Sequence, residues 1–584
     1  MVTSSCARML VVLAAAGLST GACKPDDPPA NDGTETNGGA TMEGPGTADD
    51  TGIMLECLPG EVRCRGQQFL ETCAPTGREW LAEPCDLNEW CEPCAETDSC
   101  EQDRCIGPCD IEADLPSSAG CSFIANRQLH LEETSPDGLV VANPNTELPA
   151  TIQFYRTPEG ERKEEAVGEP IVLNPEQDYL FELDANFVLG TSSQFRTGGT
   201  YRVESDVPII AYLHSPLVVD RGNDSSMLLP ETTLRRDYVV FSFSPHEEQP
   251  QGQGEPSYFE IVALEDFTTV TWTPPVDTAG TGINIDFVPA GETSSPLPMN
   301  RFDTVRIAAS ANFQEDADLR DVSGTVIKSD KPIMVVGASR CSRVPVRTEE
   351  GQELGRCDPL QEVLIPLDYW GERYVAAHSP IRDTERHWWR IYSGTADVRI
   401  TAEAGLGCSE PVLNDSNCTA PNVFDGEGCT LAARGDWIQV DVNNQCSFFL
   451  DSNNTGAFMP VQYLQSSRHP TEPAAESTGI GDPAMYQMVP VEQFLSRYVF
   501  STGRGFDFDY VQVIREVGGP SVFLDNQSVT GFNPVNATYE VADVQISEGA
   551  HVIESNVPFG IVQFGYSSDG PSDNCNSQIP GETV

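Results

Sequence analysis

The sequence predicts an all-β protein in which tandem β-sandwich units follow a small disulfide-rich module. Three observations support this prediction. Short apolar runs alternate with clusters of Gly, Pro, Asn, Asp and Ser, and long stretches with helical apolar spacing are hard to find. One pattern recurs along the chain at fixed internal spacing, which indicates a copied structural unit. Ten of the 19 cysteines fall between Cys57 and Cys121, a density typical of disulfide scaffolds.

The recurring pattern is two apolar residues and a proline, then seven further residues, then Tyr-Val. It spans Leu228 to Val239, Leu364 to Val375 and Met488 to Val499, and each copy has a large apolar residue four places after its proline. An apolar run and then an alternating segment follow each copy, and both are typical of strands. At 584 residues the chain exceeds one hydrophobic core. Several β units are therefore expected.

A second phrase closes the units: Ser-Asp or Ser-Asn, then a proline and an apolar run. It occurs at Ser205, Ser329 and Ser555, whereas the third unit ends more loosely. Short polar side chains favour turns, and proline suits a position where no backbone N–H is needed for the sheet. We therefore predict a turn that leads into a strand buried on both faces. The predicted segments are a signal peptide (1–22), a disordered tether (23–52), the Cys-rich module (53–121) and four β units (122–222, 223–350, 351–475 and 476–584, the last with a tail).

The N-terminus has the layout of an export signal. Arg8 precedes an apolar run that ends in Thr-Gly-Ala before Cys23. This resembles a bacterial lipoprotein signal, which predicts lipidation of Cys23 and anchoring to a membrane through lipid. The alternative is an ordinary cleaved signal in which Cys23 is incidental. Lys24 favours the outer membrane, so we expect an exported lipoprotein of the outer membrane or cell surface of a Gram-negative bacterium.

The cysteines behind this signal are expected to form disulfide bonds. The module contains Cys57, Cys64, Cys73, Cys85, Cys91, Cys94, Cys100, Cys105, Cys109 and Cys121. Its connectivity stays open, and Cys91-Glu-Pro-Cys94 alone also suggests zinc or a redox pair. Further along the chain, Cys341 and Cys357 flank a loop, and Cys408, Cys418, Cys429 and Cys446 share an insertion. Three local bonds are expected there, which leaves Cys575 without an obvious partner.

Composition excludes some classes of function. The chain carries 89 acidic against 34 basic residues, a formal net charge of −55, so binding to nucleic acid is disfavoured. It contains no Gly-x-Ser-x-Gly, His-Glu-x-x-His or Gly-Lys-Ser/Thr motif. We therefore predict a protein that is not an enzyme and needs no cofactor. A structural Ca²⁺ at Asp507 and Asp509 is a further metal hypothesis, since the spacing of the two acids suits a hard cation.

Trp388 and Trp389 are the candidate ligand-binding residues. Adjacent strand residues face opposite ways, so one of the two is expected to point away from the core of its own unit. An exposed aromatic residue is a typical protein or sugar hot spot. The alternative is burial against a neighbouring unit. The insertion from Gly405 to Cys446 is a second candidate contact surface.

Several ordered phrases together resemble the N-terminal domain of the IgGFc-binding protein family. They are Ser205 to Ile209, Asn223 to Pro230, Tyr238 to Val240, Leu264 to Thr271 and Ser329 to Ile333. The resemblance implies binding of a protein or glycan ligand, in an adhesive or recognition role, and no catalytic residues. The von Willebrand-type repeats of the animal protein are missing, so IgG itself is not implied. Two alternatives stay open, a structural envelope scaffold or spacer without a ligand, and a hydrolase of unfamiliar type.

Overall fold

The computed structural model divides into two compact units, Ser19–Leu115 and Met1–Leu18 together with Pro116–Val584. It describes residues 9–13 and 56–566, apart from gaps at 66–67, 86–88, 93, 95–101, 110–116, 131–134, 185, 187–188, 190–191, 218–223, 246–256, 311–319, 347–356, 383–384, 406–407, 409–411, 414–417, 419–422, 425, 444, 467–480, 482 and 503–505. The lipidation candidate Cys23, the predicted tether, Cys100 and Cys575 lie outside the described residues. So does most of the predicted signal peptide, of which β1 (Met9–Leu13) is described.

The small unit contains the Cys-rich module. Its strands are β2 (Val62–Arg65), β3 (Phe69–Cys73), β4 (Trp80–Pro84), β5 (Trp90–Glu92) and β6 (Arg104–Ile106). Strands β2 to β4 form one antiparallel sheet and β5 pairs with β6. Disulfide bonds join Cys57 to Cys73, Cys64 to Cys91 and Cys85 to Cys105. Cys94, Cys109 and Cys121 are disulfide-bonded as well.

The large unit is built from antiparallel sheets. In the predicted first β unit, the strands are β7 (Gly120–Asn126), β8 (Asp137–Ala142), β9 (Ala150–Arg156), β10 (Glu165–Ala166), β11 (Ile171–Leu173), β12 (Asp178–Leu183), β13 (Gln194–Arg196) and β14 (Thr200–Ser215). In the second, they are β15 (Asp224–Met227), β16 (Arg235–Val239), β17 (Ser257–Ala263), β18 (Thr268–Thr273), β19 (Leu297–Met299), β20 (Thr304–Ala308) and β21 (Val326–Ser342).

The remaining strands repeat this organisation. In the third unit, they are β22 (Asp358–Val363), β23 (Arg373–Ala376), β24 (Arg386–Ser393), β25 (Val398–Ala404), β26 (Val412–Leu413), β27 (Cys429–Leu431), β28 (Trp437–Asn443), β29 (Phe448–Asp451) and β30 (Phe458–Leu464). In the fourth, they are β31 (Met485–Gln487), β32 (Leu495–Ser501), β33 (Phe508–Glu516), β34 (Phe523–Leu524), β35 (Gln527–Ser528), β36 (Asn533–Pro534), β37 (Tyr539–Ile546) and β38 (Ala550–Tyr566). The predicted all-β fold with a disulfide-rich N-terminal region is confirmed. No helix among the described residues is long and apolar enough to cross a membrane.

The Pro-x7-Tyr-Val pattern starts a strand in the same way three times. A 3-10 turn follows each proline, at Glu231–Thr233, Leu367–Tyr369 and Val491–Gln493. The hydroxyl of each tyrosine then accepts a hydrogen bond from a backbone N–H three residues earlier, at 3.1, 2.8 and 2.8 Å for Tyr238, Tyr374 and Tyr498. Because the phenol satisfies an N–H that the turn leaves unpaired, the spacing between proline and tyrosine is fixed.

The Ser-Asp-x-Pro phrase corrects one prediction. It is not a turn before a strand but a bulge inside a long strand, since β14 continues from Thr200 to Ser215 with a register shift after Glu204. Asp206 and Asp330 accept hydrogen bonds from N–H groups of neighbouring strands, at 2.7 Å each. The side chain therefore bonds across the sheet, and the bulge lets one strand pair with different partners on its two halves.

The third unit lacks the phrase, and its long strand is interrupted. Residues 452–457 separate β29, which pairs with β23 and β25, from β30, which pairs with β24 and β31. In the other units the same two sets of contacts lie on one strand. The looser sequence at this place thus corresponds to a real turn.

Buried polar residues connect successive β units at one equivalent position. In three units a buried polar residue lies two positions after an aromatic residue of an equivalent strand. These residues are Glu260 in β17, Arg390 in β24 and Gln512 in β33. Arg390 lies in the third unit, and its Nη1 atom donates to Asp321 Oδ2 (2.8 Å) and to the Ser242 carbonyl (3.1 Å) of the second unit. Its guanidinium group also lies over the ring of Trp437, 4.2 Å from the centroid.

The other two positions follow the same rule. Glu260 Oε1 accepts from Arg306 Nε at 2.6 Å, and its Oε2 accepts from Gln128 Nε2 of the first unit at 3.2 Å. Gln512 Nε2 donates to the His378 carbonyl of the third unit and to Asp543 Oδ1. Each successive pair of units is thus joined by a buried hydrogen-bonding side chain that must find its partner in the preceding unit.

Candidate ligand-binding surface

Trp388 and Trp389 are both buried, with 9% and 0% of their surface exposed. They do face opposite sides of β24, but both sides are covered. Arg390, on the same face as Trp388, bonds to Asp321, while Trp389 packs edge-on against Phe448 with ring centroids 5.5 Å apart. Of the two alternatives for the indole that points away from the core of its own unit, an exposed hot spot and burial against a neighbouring unit, the low exposure of both residues agrees with burial. Contact of either indole with a ligand stays a prediction that this burial does not favour.

The metal candidates also lie in different surroundings. Asp507 is exposed, whereas only 4% of Asp509 is exposed. Burial, together with the charge of Glu548, raises the pKa of Asp509 to about 7. Across the part of the chain that the structure describes, no three metal-binding side chains cluster. Binding of Ca²⁺ at this pair stays a prediction.

Two disulfide bonds cross-link the insertion of the third unit, Cys408 to Cys446 and Cys418 to Cys429. A third bond joins Cys341 to Cys357. Several stretches of the insertion lie outside the described residues, so its predicted role as a contact surface is neither supported nor contradicted.

Phe267 is the most unusual exposed side chain of the large unit. It occupies the turn between β17 and β18 with φ of +59°, and 80% of its surface is exposed. The equivalent turn of the third unit, between β24 and β25, has Asp397 with φ of +58°. Asp tolerates the left-handed region, whereas a bulky aromatic residue there is strained and gains little from burial. Phe267 is therefore disfavoured by both backbone conformation and solvation, which is typical of a functional position.

Three hydrogen bonds connect the Phe267 turn to neighbouring segments. The Phe267 N–H donates to Asn300 Oδ1 (3.4 Å), and the Arg301 N–H donates to Asp266 Oδ1 (3.2 Å). Lys331 Nζ donates to the Asp266 carbonyl. Lys331 is one of only four lysines in the chain. Lys331 Nζ also pairs with Glu265 (3.7 Å), and Arg301 Nη2 pairs with Glu231 (3.4 Å), so the exposed ring lies in a turn whose neighbours carry both signs of charge.

A second exposed apolar surface lies on the loop between β18 and β19. Ile283 and Phe287 are 89% and 53% exposed, while Ile285 between them is buried and anchors the loop in the core. Thr278 and Val288 pair as an isolated bridge at the base of the loop. A Cβ atom at Gly280 would lie 2.4 Å from the Phe287 nitrogen, so glycine permits the close approach. The loop thus presents two apolar side chains from an ordered base.

A family model described as IgGFc binding protein matches residues 224–565, which is more than half of the chain. The chain belongs to the IgGFc-binding protein family. No curated protein and no solved structure matches it. The IgGFc-binding region begins at the first residue of β15 and ends within β38, so it contains Phe267 and the Ile283 loop. The family is described as a binding protein. The disulfide bonds of this chain are typical of an exported protein.

Sequence reasoning missed Phe267, although a signal was present. Aligning Leu264 to Thr268 with Gly394 to Val398 places an aromatic residue where the next repeat has Asp. An aromatic residue at a turn position otherwise held by Asp is a hydrophobic residue outside the strand pattern. Ile283 lies in a loop that has no counterpart among the repeated phrases, so comparison of repeats gives no signal for it.

Two buried carboxyl groups with raised pKa values in the IgGFc-binding region are structural. Asp224 in β15 and Glu362 in β22 are buried between the strands that connect the units. Asp224 Oδ2 accepts from the Gln361 N–H (2.8 Å), and Glu362 Oε1 accepts from Gln487 Nε2 (3.1 Å). Burial raises the pKa of Glu362 to about 8, and burial together with the Glu362 charge raises the pKa of Asp224 well above its usual range. These groups are enclosed, so they offer no surface to a ligand.

Proposed function

We propose that this chain is an exported lipoprotein, anchored through Cys23 in the outer membrane or at the cell surface of a Gram-negative bacterium, that binds a protein ligand. The observation that supports it best is Phe267, an exposed aromatic residue in a disfavoured backbone conformation within the IgGFc-binding region. A non-binding scaffold has no use for such a residue, because Asp at the same turn is better for both backbone and solvation. No catalytic role is proposed.

The Phe267 surface has the composition of a small binding site. The ring is the apolar anchor, and the charged residues of the turn and its neighbours form a polar rim: Glu265, Asp266, Arg301 and Lys331. Aromatic anchors surrounded by polar groups account for most of the binding energy in protein interfaces. Because Lys331 is paired with Glu265 and Arg301 with Glu231, the rim carries both signs of charge, and we expect the ligand to offer an apolar pocket bordered by neutral polar groups.

Replacing Phe267 by Asp is expected to weaken binding while leaving the fold intact or slightly more stable. The stability gain is about 1 kcal/mol, because the left-handed conformation suits Asp and the exposed ring contributes little packing. The affinity loss is at least about tenfold, or about 1.4 kcal/mol, if Phe267 is an anchor. Urea unfolding measures the first effect. Saturation binding of the chain from residue 23 onward, with Cys23→Ser to prevent lipidation, measures the second.

This binding experiment presents the producer's envelope proteins, foreign cell surfaces and IgG, with and without protease or glycosidase treatment. The matched control is Ile283→Ser/Phe287→Ser, which removes a comparable exposed apolar area from the other loop. Saturable binding that is lost after protease treatment and in Phe267→Asp alone supports the proposal. Loss in the control variant alone would move the site to the Ile283 loop. Binding lost only after glycosidase treatment would identify a glycan ligand, and no saturable binding to any surface would favour the scaffold alternative.

A further inference from the structure

The four β units share an arrangement of three neighbouring antiparallel strands. A long strand pairs with a second strand, and the second strand pairs with a third. These strands are β14, β8 and β12 in the first unit, β21, β17 and β20 in the second, β30, β24 and β28 in the third, and β38, β33 and β37 in the fourth. The third strand is therefore an equivalent element of every unit, and its outer edge can be compared between units.

The outer edge of this third strand is covered in the second, third and fourth units. There, β13 pairs with β20, β26 pairs with β28 and β36 pairs with β37. In the first unit, β12 is the last strand of its sheet and pairs with β8. Within the part of the chain that the structure describes, β12 alone of these four strands has an outer edge without a pairing strand.

The register of β12 shows which of its backbone groups face this outer edge. The Asn143 N–H donates to the carbonyl of Gln177, the residue opposite it, at 2.9 Å. This pair thus occupies a hydrogen-bonded position of the antiparallel ladder, and such positions recur at every second residue. The N–H and C=O groups of Leu180 and Glu182 therefore point away from β8, and no backbone group among the described residues bonds to them.

The side chains of β12 leave this edge open to another strand. Tyr179 is 43% exposed, and its ring lies 4.8 Å from the half-buried ring of Phe181. On the opposite face, Leu180 packs against a small apolar cluster and Asp178 accepts a hydrogen bond from Ser501 Oγ (3.2 Å). Proteins commonly block an edge with Pro, Lys or a bulge, and the six residues of β12 contain none of these. A regular edge with exposed aromatic surface suits the addition of a strand.

The charge of this region indicates which kind of strand fits. Glu182 is exposed, Asp178 lies on the same face of β12, and no basic residue occurs between Lys163 and Arg196. A second copy of β12, paired antiparallel about Leu180, would place Asp178 opposite Glu182 of the other copy. Like charges directly opposite each other are destabilising. The edge therefore fits a strand with basic residues and not a second copy of itself.

We propose that the outer edge of β12 binds an extended, basic and apolar segment of a partner protein, which adds to the sheet as a further antiparallel strand. The backbone of this segment bonds to the outward N–H and C=O groups of Leu180 and Glu182. Its basic side chains lie opposite Asp178 and Glu182, and its apolar side chains lie beside Tyr179. The surface lies outside the IgGFc-binding region, so it does not depend on the function proposed above.

A fluorescein-labelled peptide with the core Val-Lys-Ile-Val-Val-Lys, flanked by Gly-Ser at each end, is the probe. When it lies antiparallel to β12, its two lysines are opposite Glu182 and Asp178. Its second, fourth and sixth core residues then direct their N–H groups at the edge. One variant peptide is N-methylated at these three residues, and the matched control is N-methylated at the first, third and fifth. A further peptide has Glu in place of both lysines.

Fluorescence anisotropy with the chain from residue 23 onward, with Cys23→Ser, measures the affinities. We expect the peptide methylated at the second, fourth and sixth residues, and the Glu peptide, to bind at least about tenfold more weakly than the parent peptide. The control peptide is expected to bind like the parent peptide. Glu182→Pro removes an outward N–H that Glu182→Ala keeps, so we expect at least about tenfold weaker binding to the Pro variant than to the Ala variant. Phe267→Asp is expected to leave peptide binding unchanged.

Several results would overturn the proposal. The absence of saturable binding would mean that the acids of β12 keep its edge unpaired, and equal binding of the Glu peptide would exclude a basic partner. Equal binding of the two methylated peptides would exclude a backbone ladder, and this comparison uses the unaltered chain, so it holds if Glu182→Pro fails to fold. Equal binding to folded Glu182→Pro and Glu182→Ala, or its loss in Phe267→Asp, would place the peptide elsewhere. A dimeric mass that becomes monomeric in Glu182→Pro would assign the edge to a second copy.

Discussion

Replacing Arg390 by Met is expected to lower the free energy of unfolding by about 3 to 5 kcal/mol, among the largest effects of a single substitution in this chain. Arg390 is 2% exposed and Asp321, its ion-pair partner, is 5% exposed. Removing the guanidinium group leaves the Asp321 carboxylate buried without its opposite charge. It also removes the cation over the rings of Trp437, Phe243 and Tyr463. Urea unfolding of the variant and the parent at neutral pH measures the loss.

The control is Arg373→Met, which removes an ion pair that also joins two units but lies at the surface. Arg373 and Glu492 are 48% and 36% exposed, so this change is expected to cost at most about 1 kcal/mol. Adding Asp321→Asn to Arg390→Met is expected to recover part of the loss, because it neutralises the orphaned charge. Equal losses in Arg390→Met and Arg373→Met would contradict the claim that burial makes the Arg390 contact important.

Much of the fold could be predicted from the repeated pattern, because each copy forms the same turn and hydrogen bond and these depend on only a few residue types. The proline, the turn and the Tyr hydroxyl act through the backbone, and so Pro230, Pro366 and Pro490 mark equivalent places. The Ser-Asp-x-Pro phrase shows the limit of local reasoning. Its residue types are typical of a turn, but the phrase lies inside a long strand, and the Asp carboxylate bonds to a strand that is distant in sequence, which only the tertiary structure reveals.

The candidate site was harder to predict than the fold. Trp388 and Trp389 attracted attention as large aromatic residues, but position in a strand does not tell whether a neighbouring unit covers the second face. The face of β24 that carries Trp388 also carries Arg390, which contacts Asp321 of the preceding unit, and a contact of this kind is not visible in the sequence. Phe267 is the reverse case, since its chemistry is ordinary and its exposure and positive φ are what make it unusual. The identity of a residue gives little information about its exposure or its backbone φ angle.

Replacing Glu362 by Gln is expected to remove a large part of the pH dependence of stability. The pKa of Glu362 is raised by burial from 4.5 to about 8, so between these values the folded chain holds a proton that the unfolded chain releases. A group whose pKa is higher in the folded than in the unfolded state stabilises the fold fully at pH values below its unfolded-state pKa. This stabilisation is lost as the pH rises through the folded-state pKa. The contribution of Glu362 therefore declines with rising pH, by about 5 kcal/mol over the whole window at about 1.4 kcal/mol per pH unit.

The Gln variant keeps the shape and has no proton to lose, so it is expected to match the parent near pH 5 and to exceed its stability increasingly toward pH 8 and above. Urea unfolding at a series of pH values measures the difference between the two proteins. Glu169→Gln, at an exposed position, controls for the loss of one negative charge and is expected to show no such trend. Asp224 keeps a pH dependence of its own in both proteins, so the difference and not the absolute slope reports on Glu362. A difference that stays constant from pH 5 to pH 8 would mean that Glu362 is ionised within the fold, and that the connecting strands β15, β22 and β31 enclose a charge and not a neutral acid.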